Sequence, residues 1–274
     1  MPLSNTSILS SVELALYAIL VPLVLFIAYR HGRHGILGYF YLNISIAVRI
    51  AAAICQLVDK NNDNNNVPST ATIILSSIGL SPLLLAISGI LHELHHYLLQ
   101  TSAKKSRWLL FIQIQIHTIC TVGMILLILG SIHLAEAKSP SDANAAYKLR
   151  SAGAVLWFVT WLVLMQYIVW LLFRYRRAQE KHPRSTAALR NWALVALLFG
   201  GAKVVYAAVY TLDHGDSGIN PITGSFAIKV VLVVGVQLLA AVAMVVGGWM
   251  SVGIVSEYQM QSSKGRRADG IVLD

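Results

Sequence analysis

The chain has 274 residues, 56% of them hydrophobic and only 12% charged, with a formal net charge of +9. About a quarter of an ordinary soluble domain is charged, so this composition excludes one. The basic excess lies in connections between apolar stretches, which sets aside a nucleic-acid partner and leaves membrane lipids as the surface it meets. Cys55 and Cys120 both fall inside apolar stretches, so no disulfide framework is indicated.

Seven stretches are each long enough to cross a bilayer, which takes roughly 20 residues. The first, 12–29, has no basic flank before it and no small-residue cleavage site after it, so it is expected to be retained rather than removed as a signal peptide. Glu13 and Tyr17 stand at its start, and Asn5-Thr6-Ser7 just before it is a glycosylation sequon. The second, 36–58, carries Arg49 past its middle, with Ser45 and Gln56 on the same helical face. Its own sequon, Asn43-Ile44-Ser45, should be buried and unused. Residues 61–66 form a low-complexity polar loop. The third span, 70–91, holds no acid before Glu93. The fourth is 108–134 and the fifth 151–173, the latter with Trp157 and Trp161. The sixth, 191–212, presents Lys203, Tyr206 and Tyr210 as a stripe and is closed by Asp213. The seventh, 225–250, has Lys229 near its start and Gln237 further along.

These spans predict an all-α, polytopic membrane protein: a seven-helix transmembrane domain over 1–250 and a disordered tail over 251–274. The longest connections are expected to run about 16 to 18 residues by these boundaries. Fourteen Lys and Arg fall in one alternate set of connections and four in the other. The positive-inside rule then places the amino terminus outside or in the lumen and the carboxy terminus in the cytosol. Trp108, Trp170, Trp192 and Trp249 all fall at the expected cytosolic helix ends, where indoles prefer to sit. Glycosylation is expected at Asn5. Without an internal repeat, an inverted-repeat transporter is disfavoured.

Function is to be sought among polar groups at membrane depth, because ionisable side chains there are costly and usually face a bundle interior. Arg49, Lys203 and Lys229 are the cations that qualify. If their faces converge with those bearing Glu13, Tyr17, Tyr206, Tyr210 and Asp213, they make one polar pocket in the outer half of the bundle. Glu13 can satisfy one cation but not three, and the surplus points to an anionic or electron-rich ligand, or else to a Lys203 kept neutral by desolvation.

A second constellation is His92-Glu93-Leu94-His95-His96 at the end of the third span. As H-E-x-x-H it puts His92 and His96 on one helical face as zinc ligands with Glu93 as a base; as H-x-x-H-H it resembles one histidine box of membrane di-iron hydroxylases. A di-iron enzyme needs further boxes and His31-Gly32-Arg33-His34 is a poor one, so no metal is assigned and His92, His95 and His96 stand only as alternative ligands. A retinal protein needs a lysine near the middle of its last helix and a carboxylate on the third, and neither is present. A G-protein-coupled receptor would carry an acidic-Arg-aromatic triplet and Asn-Pro-x-x-Tyr, also missing.

The stretch Tyr29-Arg30-His31-Gly32, the following span with Arg49, the run from Ser76 to Ala86 and the layout of the last two spans resemble a family of fungal seven-pass membrane proteins, over nearly all of residues 10–250. An endoplasmic-reticulum or other endomembrane location is expected. The resemblance implies a link to secondary metabolism, where integral membrane proteins of similar size act as terpene cyclases. The chain lacks the Asp-rich, magnesium-binding motifs of diphosphate-ionising terpene synthases, so a cyclase here would start by protonation and need no cofactor. Glu13 and Asp213 are then the expected acids. Arg49, Lys203, Lys229, Tyr17, Tyr206 and Tyr210 would bind a lipophilic terpenoid or meroterpenoid substrate, and the apolar surroundings would keep water from the cation. The alternatives are a non-catalytic receptor for an anionic lipophilic ligand at the same pocket and a metal-dependent hydroxylase built on the histidines.

Overall fold

The computed structural model describes residues 5–61, 69–99, 103–177, 184–212 and 225–254, all helix, caps and short turns, with no strand among them. Asn5–Asn61 runs as one helical stretch broken at Gly32, whose φ of 65° and ψ of −156° lie in a region open essentially only to glycine. The break folds the stretch into a hairpin of α1 (Asn5–Gly32) and α2 (Gly35–Asp59). Far from the bend, Ser10 Oγ donates to Gln56 Oε1 at 2.9 Å.

A polar cap ties α2 to the next element. Asp59 Oδ2 accepts from the Ser69 amide at 2.8 Å, the Ser69 hydroxyl at 2.8 Å and the Thr72 hydroxyl at 2.6 Å. Ser69 in turn caps α3 (Thr70–Ile78) through the Thr72 amide, satisfying one of the orphan donors of a helix start. Helix α4 (Leu80–Leu99) follows after the single residue Gly79. Pro82 explains the interruption: it has no N–H for the Ile78 carbonyl, and its ring crowds that oxygen. The expected third span is therefore made in two pieces.

Helix α4 is the hub. Every residue from 80 to 91 is buried, and the helix packs against each of the other long helices. Its crossing with α2 is backbone on backbone: a Cβ added at Gly89 would lie 2.5 Å from Gly38 Cα. Helices α5 (Ala103–Glu136) and α6 (Pro140–Arg177) form a second hairpin, close enough that a Cβ on Gly153 would meet the Gly123 carbonyl at 2.7 Å. Three residues join them, so the long connection expected over 135–150 is largely the start of α6. Its charges hide it from a hydropathy reading, but Pro140 at the first helical position, Asp142 in the first turn and the Ser139 hydroxyl on the Asp142 amide make a strong helix start.

Helix α7 (Arg184–Leu212) packs between α6 and α8 (Phe226–Met250). Helix α8 opens with an α-turn at Phe226–Ile228 capped by Ser225, continues as a π-helix over Lys229–Gly235 and ends as α-helix over Val236–Met250. Among the described residues α1, α2, α5, α6, α7 and α8 are long and apolar enough to cross a membrane. Large apolar side chains such as Ile19, Phe40, Phe173 and Val231 face outward while Glu13, Arg49, Glu93 and Lys203 are buried. An apolar exterior around an ionisable interior fits lipid as solvent. The chain is a multi-pass helical membrane protein.

Candidate functional site

Glu13 on α1 and Arg49 on α2 form an ion pair through Glu13 Oε1 and Arg49 Nη2, with Glu13 2% and Arg49 1% exposed. The hairpin bend at Gly32 makes this pairing, since residues 13 and 49 are nearly equidistant from it. Tyr17, one turn below Glu13, is buried against the same pair. Gly79, at the α3/α4 break, comes next. A Cβ there would lie 3.0 Å from both Arg49 Cδ and Gln237 Nε2, so a larger residue would have to push these side chains aside. The Gly79 carbonyl accepts from Ser45 Oγ at 3.1 Å and Gln237 Nε2 at 2.9 Å, which binds α2 and α8 to the break.

Lys203 on α7 completes the cluster. Buried within electrostatic reach of Arg49 and Glu13, it donates from Nζ to the Val233 carbonyl at 3.2 Å and sits 5.3 Å from the Tyr206 ring centroid. Val233 lies in the π-helical turn, where the backbone bonds reach one residue further than in an α-helix, as from the Val236 amide to the Val231 carbonyl. Such turns recur at functional sites.

Besides Glu13 Oε1, which faces Arg49 in the ion pair, four buried polar atoms of this cluster make no well-formed hydrogen bond: Arg49 Nε, Arg49 Nη1, Tyr17 Oη and Gln237 Oε1, with the Tyr17 hydroxyl lying close enough to the guanidinium to interact with it. Each such group costs about 1–3 kcal/mol. Glu13 matches Arg49, whereas no carboxylate among the described residues pairs with Lys203.

The structure thus brings Glu13, Tyr17, Arg49, Lys203 and Tyr206 together, along with Ser45 and Gln237. Tyr210 goes elsewhere: Arg150 of α6, read from the sequence as a loop cation, is buried against Gly130 with its guanidinium 5.2 Å from the Tyr210 ring centroid. Lys229 opens the π-helical turn with a half-buried side chain. Asp213 lies outside the described residues. Asn5 is exposed at the first residue of α1. Trp157 and Trp161 are packing residues: their indoles donate to the Cys120 carbonyl at 3.3 Å and the Leu197 carbonyl at 3.0 Å, and Trp161 lies over Gly201.

The histidine motif is divided among different partners. Glu93 reaches His31 at 2.7 Å, and the other nitrogen of His31 meets the Gly248 carbonyl at 2.9 Å, so a wholly buried pair joins the α1/α2 bend, α4 and the end of α8. Gly35 allows it, because a Cβ there would fall within 2.8 Å of Glu93 Oε1. His95 bonds Tyr167 Oη at 2.9 Å and stacks on Trp170 at 5.5 Å. His92 and His96 are half-buried. Among the described residues no three His, Cys, Asp or Glu side chains gather as a metal would require; the side chain of His34 and all of His182 lie outside them. Among the described residues the geometry therefore gives the hydroxylase reading no ligand set.

Sequence reasoning missed the Gly79 and Val233 carbonyls as partners of the intramembrane side chains. Pro82 was a readable sign of the first; no local pattern marked the second. Comparison with characterised proteins and with solved structures found no match for the chain. A family model does match over residues 3–253, nearly the whole helical region, under the description "Domain of unknown function (DUF7702)". With α1 to α8 inside that match, the chain belongs to the DUF7702 family.

Proposed function

We propose that this protein crosses an endomembrane seven times, amino terminus in the lumen and carboxy terminus in the cytosol, and binds an anionic lipophilic small molecule at the Glu13–Arg49–Lys203 cluster. The asymmetry of cations between alternate connections supports the orientation, and α3 with α4 supplies the seventh crossing. The observation that carries the binding reading is the imbalance inside the cluster. Two buried basic side chains share one carboxylate, and two guanidinium nitrogens make no well-formed hydrogen bond. A ligand oxygen bearing negative charge answers both deficits. The bilayer around the cluster selects for a hydrocarbon body.

Glu13 is the one carboxylate of the cluster among the described residues, and this favours, second, the acid-initiated cyclase or isomerase of a terpenoid or meroterpenoid intermediate. In that reaction the Glu13–Arg49 pair opens as substrate enters, Arg49 turns to the substrate oxygen, and Glu13 takes and delivers a proton. The pair must break first, so binding without turnover is the leading reading. The place in fungal secondary metabolism rests on resemblance alone.

The test uses the full chain in lipid nanodiscs with dodecanoate and methyl dodecanoate as probes. Saturable binding of the acid, weakened at least tenfold by esterification and by Lys203→Met but kept in His92→Ala, is the expected result. Equal binding of acid and ester overturns the anion site. Microsomes given epoxidised prenylated phenols then separate the second reading: an isomeric product of unchanged mass that disappears with Glu13→Gln establishes it, and no product removes it.

A further inference from the structure

We infer that the ligand of this cluster carries a hydrogen-bond donor beside its acidic group, so that its head is a hydroxy-acid or an equivalent pairing of an ionised oxygen with a neighbouring O–H. The inference rests on the anion-binding reading and narrows it. It comes from the polarity of the unmatched atoms.

Arg49 Nε and Nη1 are donors and call for acceptors, whether the neighbouring Tyr17 hydroxyl or oxygens of a ligand. Gln237 Oε1 is the opposite case. Its amide nitrogen is held by the Gly79 carbonyl at 2.9 Å, which fixes the amide so that the oxygen must accept. A plain carboxylate or phenolate has no hydrogen to offer it and would bring two acceptors close together. A hydroxyl next to the anionic group donates to Gln237 Oε1 while the charge meets Arg49 and Lys203. Tyr17 Oη can donate or accept and fits either part of the head.

The two sides of the head are close. Arg49 Cδ and Gln237 Nε2 both lie 3.0 Å from one point above Gly79, so they are no more than twice that apart. A hydroxyl one carbon away from the carboxylate-bearing carbon spans such a gap, and one far down a chain does not. Polar recognition of this kind discriminates strongly, because the analogue lacking the hydroxyl leaves a buried acceptor unmatched.

The experiment compares 3-hydroxydodecanoate with dodecanoate on the full chain in nanodiscs, by equilibrium competition against one tritiated acid. About a tenfold preference for the hydroxy acid is expected, falling toward equality in Gln237→Met. Equal affinities in the wild-type chain overturn the inference and leave the anion site standing. A preference that survives intact in Gln237→Met also overturns it, since the donor would then meet another group. If neither acid binds saturably, the underlying reading fails and the inference with it. Should Gln237→Met fail to fold, the wild-type ratio decides alone.

Discussion

Arg49 and Glu13 meet side chain to side chain inside the bundle, one from each arm of the α1/α2 hairpin, and two nitrogens of the guanidinium make no well-formed hydrogen bond. The pair does two jobs: it closes the hairpin and keeps a cation available at membrane depth.

Breaking the pair from one side leaves the other charge buried. Glu13→Gln is expected to destabilise the chain by about 3–5 kcal/mol, and Glu13→Gln with Arg49→Met to recover most of that loss. Denaturant unfolding in detergent micelles checks this, and additive single effects would contradict the pairing.

The α2/α4 crossing depends on two glycines in backbone contact. Gly89→Ala should cost about 1–3 kcal/mol, because the new methyl meets the Gly38 backbone rather than a movable side chain. Gly200→Ala, whose nearest neighbour is the Ile87 side chain at 3.3 Å, should cost much less. The difference in melting temperature between the two variants is the measurement.

His31 faces oxygen acceptors with both ring nitrogens, Glu93 on one side and the Gly248 carbonyl on the other. His31→Phe and Glu93→Leu should each destabilise by about 3–5 kcal/mol as single changes and by clearly less than their sum together. Iron or zinc supplied during expression should change none of these values, and a metal-dependent rise in stability that vanishes with His92→Ala would revive the metal site.

The orientation has a direct assay. Asn5→Gln should remove one glycan's mobility shift on a gel while Asn43→Gln removes none, because Asn43 is half-buried in the middle of α2 with its amide on the Tyr39 carbonyl one turn earlier at 3.1 Å. A reporter fused after residue 274 should remain on the cytosolic side in protease protection.

Hydropathy alone was enough to find the six long apolar helices, because a lipid-facing helix must be apolar over its length, but it read α3 and α4 as one span. It failed at the ends. Residues 140–150 carry charges and read as a loop, yet proline and capping chemistry start a helix there that buries Arg150. Glu13, Arg49 and Lys203 stood out because charge at depth needs a reason. Which of them would touch was not written locally: helical spacing gives the face of one helix, whereas His31 and Glu93 are 62 positions apart and meet only because Gly32 bends the chain and Gly35 clears the way. Tyr210 shares a stripe with Lys203 and Tyr206 but faces α6, where a buried arginine claims it.

The π-helical turn at Lys229–Gly235 also has a consequence for comparing this chain with its relatives. One such turn accommodates a residue more than an α-turn does, so it shifts everything before it by roughly 100° of rotation relative to everything after it. A relative built with a plain α-helix here would align only with a one-residue gap between 229 and 235. Aligned without that gap, its counterpart of Lys229 would be matched to a position on a different side of the helix, while Gln237 stayed in register.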